Sequence, residues 1–99
     1  MKIKISPFAE MEIIESKDWY NIEKEGLGIE FIEELNLFFE KIKVNPLLYS
    51  PFNKYFRKAV MDKFPFNIIY LQTSEIVFII AIFHQNRNPK NTISSFEKS

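Results

Sequence analysis

The chain carries a single histidine, His84, and it falls where the longest apolar run stops; Arg87 follows three residues later. An imidazole held at a strand end can move protons near neutral pH. Arginine offers a planar fork suited to two-point contact with a carboxylate or phosphate. Five more cations lie on or near the predicted sheet: Lys54, Arg57, Lys58, Lys63 and Lys90. A basic groove with aromatics beside it binds RNA through phosphate contacts and base stacking. Each group also has an ordinary structural use. A lone strand-end histidine is more often a hydrogen-bonded structural residue than a catalyst. Arg57 can pair with an acid of a neighbouring helix, Tyr70 within NIIYLQ suits a core or sheet surface, and Phe38-Phe39 suits a core.

Other chemistries lack their residues. One histidine and no cysteine make no metal site. The only glycines, Gly26 and Gly28, lie between two helical patterns, so there is no phosphate loop and no dinucleotide fingerprint. No cofactor is expected, and nothing resembles a nucleophile elbow. The formal net charge is +0, but it divides unevenly. Residues 1–50 hold six lysines against ten acids, a net of −4, and residues 51–99 hold seven Lys/Arg against three acids, a net of +4. This predicts one acidic and one basic face. The apolar run of eight residues, 76–83, suits a buried strand and is too short for a membrane helix. No membrane partner is expected, and MKIKISPF has no apolar leader, which leads us to expect a cytoplasmic protein.

The elements that must position these groups follow from pattern. Lys-Ile-Lys-Ile at 2–5 alternates like a half-buried edge strand. Ser6-Pro7 is a helix start, with serine as N-cap and proline in the first turn, and it predicts a helix over 7–22 with Ala9, Ile13, Ser16 and Tyr20 on one face and Trp19 beside it. The glycines separate this from a second helix, in which Leu27, Phe31, Leu35, Phe38 and Ile42 form one stripe. Ile29 and Leu37 fall off the stripe, as exposed or partner-covered residues. Asn45-Pro46 ends that helix, and a loop with two prolines follows over 46–53. Strands are predicted at 55–61, 64–72 and 75–83, joined by hairpin-like turns at Asp62-Lys63 and Thr73-Ser74 into an antiparallel meander. Arg57 should then share a side with Tyr55 and Ala59, with Lys58 opposite. Turn chemistry is predicted at 86–89. At 99 residues this is one domain over 1–99, an α+β fold of order β-α-α-β-β-β with the helical hairpin on one face of a small, mostly antiparallel sheet.

The chain also resembles the RelE/ParE superfamily of toxins from bacterial type II toxin–antitoxin modules, and within it the ParE-like branch. The residues that carry the resemblance are Ala9, Trp19-Tyr20, GLGIEFIEEL at 26–35, NPLLYSP at 45–51, Arg57, FPFNIIY at 64–70 and AIFHQNRNP at 81–89. The resemblance implies the same fold, and a growth-inhibiting toxin neutralised by a cognate antitoxin that covers apolar surface by helix-in-groove or strand-addition contacts. Ile29, Leu37, Lys54, Arg57, Lys58, Lys63, Arg87 and Lys90 are then the candidate partner-binding residues. ParE-like members poison DNA gyrase by protein contact, whereas RelE-like members cut mRNA on the ribosome. Zero net charge and one histidine lean toward gyrase and away from enzymatic activity. In the nuclease alternative, Arg57, His84 and Arg87 are the catalytic candidates, with His84 as acid or base and the arginines as charge stabilisers. A further alternative is an inactive member that only binds its antitoxin.

Overall fold

A computed structural model describes residues 1–85. Strand β1 (Lys2–Ile5) leads through Ser6 into helix α1 (Pro7–Glu23), which turns back into α2 (Leu27–Val44). Four strands follow: β2 (Ser50–Pro51), β3 (Arg57–Val60), β4 (Phe66–Gln72) and β5 (Ile76–His84). The sheet order is β1-β5-β4-β3-β2. β2 to β5 pair antiparallel in sequence order, and β1 lies parallel to β5 at the edge. The α+β architecture and helical hairpin predicted from the sequence are therefore present.

Local chemistry explains the joints. The Ser6 hydroxyl accepts from the Ala9 N–H at 3.0 Å, capping α1, and donates to the Ile80 carbonyl at 2.7 Å, so one side chain starts the helix and ties it to β5. Gly26 has φ +86, a left-handed conformation glycine adopts without strain. Gly28 has a different reason: a Cβ there would strike the Lys17 carbonyl and the Asn21 side chain, and its own N–H donates to Asn21 Oδ1 at 2.8 Å. Close approach of the two helices thus requires this glycine.

Of the predicted α2 stripe, Phe31, Leu35, Phe38 and Ile42 are buried and Leu27 is partly buried; with Phe39 they pack in one cluster with Ala9 and Tyr20 of α1. Beneath them lie Ala59, Ile68, Tyr70, Val77, Ile79 and Ile82 of the sheet. Each fully buried large side chain contributes roughly 1.5–3 kcal/mol. A second cluster, Phe56, Ile69, Ala81 and Phe83, belongs to the alternate residues on the sheet's other face. A register shift at Ile69/Tyr70, paired to Ala81 and Ile79, leaves Ile80 as the extra residue.

The strands differ from the predicted spans where side chains cap the turns. β3 begins at Arg57, not at 55, because Asn53 Oδ1 accepts from the N–H groups of Tyr55 and Phe56, each at 2.8 Å. Tyr55 therefore belongs to a turn and does not share a strand face with Arg57. The 62–63 connection is also longer than a two-residue hairpin. The Phe66 N–H reaches back to the Phe64 carbonyl across Pro65 at 2.8 Å, delaying β4 to Phe66. The two-residue β2 lies inside the stretch predicted as loop, paired Ser50 to Lys58 and Pro51 to Arg57. The turn predicted at 86–89 lies outside the described residues.

Candidate functional site

Among the described residues, Arg57 and His84 do not converge. Arg57 opens β3 opposite Tyr70, and His84 closes β5 opposite Phe66. These positions are four residues apart along β4, about 13 Å, and two strand spacings apart across the sheet, about 10 Å. Arg87 and Lys90 lie outside the described residues.

At the first end, Arg57 is half-buried and its guanidinium donates to the Tyr49 carbonyl at 2.7 Å. Among the described residues the ion pairs are Lys17–Asp18 and Lys43–Glu40, so Arg57 is held by a backbone carbonyl rather than by a helix carboxylate. Beside it the Tyr70 hydroxyl donates to the Pro46 carbonyl at 2.6 Å. The Tyr49 ring stacks on Phe38 with centroids 5.9 Å apart. These contacts bind the 45–51 loop to sheet and helix. Burial raises the Tyr70 hydroxyl above its ordinary value of 10.0, partly opposed by the Arg57 charge. Burial and the Asp62 charge raise Tyr49 as well. Lys54 and Lys58 sit near this end, with ammonium groups 5.5 Å from the Tyr55 ring and 5.9 Å from the Phe52 ring.

Lys63 stands apart, and its backbone matters more than its charge. Its N–H donates to both carboxylate oxygens of Glu34, at 2.9 and 3.2 Å. Glu34 is only 6% exposed. This buried carboxylate joins α2 to the β3–β4 connection. It was hidden in the acid-rich pattern of the helix, where Glu33 and Glu40 are exposed as expected of a solvated face. Ile29 and Leu37 are each 59% exposed, in keeping with their position off the buried stripe.

At the other end, His84 is half-buried with its ring edge-on to Phe66 at 5.3 Å. It borders a cleft of about 410 Å³ with Glu12, Glu15, Ser16, Trp19, Tyr20 and Phe66. Trp19 meets Tyr20 edge-on at 5.1 Å, and Tyr20 meets Phe66 at 6.3 Å, so the aromatic rings run continuously from α1 to His84. Burial raises the Tyr20 hydroxyl above its ordinary value. Among the described residues, the groups lining this cleft include two carboxylates and neither lysine nor arginine. The outer face of α1 next to it exposes Met11, Trp19 and Ile22, the last 82% exposed. Sequence reasoning placed Trp19 beside the buried face but did not anticipate a cleft. The signal was the presence of large apolar residues on two sides of one helix.

No family model matches the sequence, and no curated protein does. Among solved structures, the fold is similar to a chain of the "Chromosomal ParDE TA system from P. aeruginosa", with a TM-score of 0.74 and 11% identity, covering 85% of this chain and 95% of that one. At this identity the likeness is one of fold. Among the described residues, no helix is long and apolar enough to cross a membrane.

Proposed function

We propose that this chain is the toxin of a type II toxin–antitoxin module, that it acts in the ParE-like manner by binding DNA gyrase, and that a cognate antitoxin neutralises it. The observation that carries the reading is the fold: it is shared over 95% of a chain from a ParDE system. Two features of the site support protein contact over RNA cleavage. Arg57 and His84 stand at different ends of the sheet, so they do not flank one scissile phosphate. The histidine's cleft is bordered by the exposed carboxylate of Glu15, whose charge opposes entry of a phosphodiester. Ile29, Leu37 and the α1 surface offer apolar area of the kind an antitoxin covers. The protein is read as a cytoplasmic, cofactor-free binder.

Pulse-labelling after induction in a bacterial host without the antitoxin tests this. DNA synthesis should stop first, with an SOS response. Protein synthesis stopping first, with mRNA cut at the ribosome, would replace the reading with the RelE-like nuclease. No growth effect from a folded protein would leave an inactive antitoxin binder.

A further inference from the structure

Residues 41–60 hold five Lys/Arg and no Asp/Glu, and the nearest acids in sequence, Glu40 and Asp62, only flank the stretch. It forms one end of the molecule: the last turn of α2, the 45–49 loop, β2 and β3. Large apolar side chains stand in water there. Val44 is 83% exposed, Leu47 60% and Leu48 55%. The loop that carries them is pinned on both sides. The Tyr70 hydroxyl donates to the Pro46 carbonyl, the Arg57 guanidinium donates to the Tyr49 carbonyl, and the Tyr49 ring stacks on Phe38. A rigidly presented apolar pair loses little entropy when a partner covers it. Cations surround this pair. Lys41 lies one helical turn before Val44, and Lys58 pairs with Ser50, two residues beyond Leu48. Among the described residues, Lys41 and Lys58 face the rings of Phe38 and Phe52, and neither pairs with a carboxylate.

We propose that this end of the molecule is the docking surface for an acidic, aliphatic segment of a protein partner, with Val44, Leu47 and Leu48 as its apolar centre and Lys41 and Lys58 at its rim. Charge complementarity selects the occupant. Carboxylates of the segment meet lysines that have no acid of their own, and its aliphatic side chains cover the exposed leucines. The contact is made by side chains rather than by strand addition: at the β2 edge Pro51 has no N–H, and the Tyr49 carbonyl is already taken by Arg57. A nucleic acid would match the lysines but leave the leucines uncovered. An anionic membrane would also meet the acids of the neighbouring helices, since residues 1–50 carry a net of −4. A short segment touches the basic end alone. That the segment belongs to an antitoxin rests on the toxin reading above; the surface's preference for an acidic, aliphatic occupant does not.

The full chain is titrated with a short fluorescent peptide in which glutamate and leucine alternate. Two counterparts run in parallel, one with serine for leucine and one with glutamine for half of the glutamates. The expected result is saturable binding that weakens as salt is raised, with both counterparts at least about fivefold weaker. Leu47→Ser combined with Leu48→Ser should weaken binding by about five- to tenfold while the melting curve stays near wild type, because both side chains already face water. Val44→Ser is the second variant should that pair disturb the loop, and Lys58→Gln should cost about two- to threefold. Equal binding of the serine counterpart, or unchanged binding in the folded double variant and in Val44→Ser, overturns the surface. Tighter binding of a labelled RNA oligonucleotide, or of phosphatidylserine vesicles, through the same residues overturns it in favour of those occupants. Growth arrest is read on the unmodified protein. Peptide binding without arrest keeps the surface and sinks the toxin reading; arrest without peptide binding does the reverse.

Discussion

The two ends of the sheet use the same kinds of residue for opposite purposes. At the β3 end, Arg57 and Tyr70 each give a hydrogen to a carbonyl of the 45–51 loop, at 2.7 and 2.6 Å, and this cation and these rings are used up in holding the fold. At the β5 end, His84, Phe66, Tyr20 and Trp19 border a cleft with carboxylates at its margin. A positively charged residue at a strand terminus is therefore no mark of chemistry by itself. Its partners decide: the guanidinium of Arg57 bonds a backbone carbonyl beside a buried tyrosine, while His84 borders a cleft.

This contrast should appear first in stability. Arg57→Ala removes a charged donor from the Tyr49 carbonyl and should destabilise by about 2–3 kcal/mol. In a domain of this size that lowers the melting temperature by roughly 10 °C or more. A melting curve close to wild type would mean that the loop is held by something other than this contact. Gly28→Ala, at the helix crossing, forces the Lys17 carbonyl or Asn21 to move and should cost about 1–3 kcal/mol, read by denaturant titration. Tyr70→Phe, which leaves the ring and removes one hydrogen bond, should cost about 1–2 kcal/mol. The same tyrosine sets an alkaline limit. Tyr20, Tyr49 and Tyr70 keep their protons more tightly when folded, so the native state binds more protons than the unfolded chain above the ordinary value of 10.0. Their stabilising share is intact below that pH and is lost as pH rises through the raised folded values. Stability measured from pH 8 to 12 should therefore fall above 10, and less steeply in Tyr70→Phe.

Much of this was legible in the sequence. Period and punctuation gave the element order: the α2 stripe, the Ser6-Pro7 start, the glycine pair and the three strands of the meander all lie where pattern put them, within a few residues. What escaped depends on distant partners. Two-residue β2 has no period to detect, and Asn53 shortened β3 through a side-chain turn that competes with strand pairing. Glu34 reads as one more surface acid until the Lys63 N–H arrives from another part of the chain. The parallel pairing of β1 with β5 joins residues over 70 positions apart. The separation of Arg57 from His84 likewise needs the strand register, which composition does not carry.

The smallest expected effects fall on exposed groups. Leu37→Lys should change stability by no more than about 0.5 kcal/mol, because the side chain already faces water, yet it should weaken capture of the antitoxin by the purified protein. Unchanged capture would move the antitoxin's footprint off this part of α2.

We propose that the molecule works by contact rather than by catalysis. The most direct test is to add the purified protein to gyrase in a DNA supercoiling assay and, side by side, to a translating extract carrying a labelled mRNA. Supercoiling should stop while the mRNA stays whole. Uninhibited supercoiling beside ribosome-dependent mRNA cleavage would contradict it.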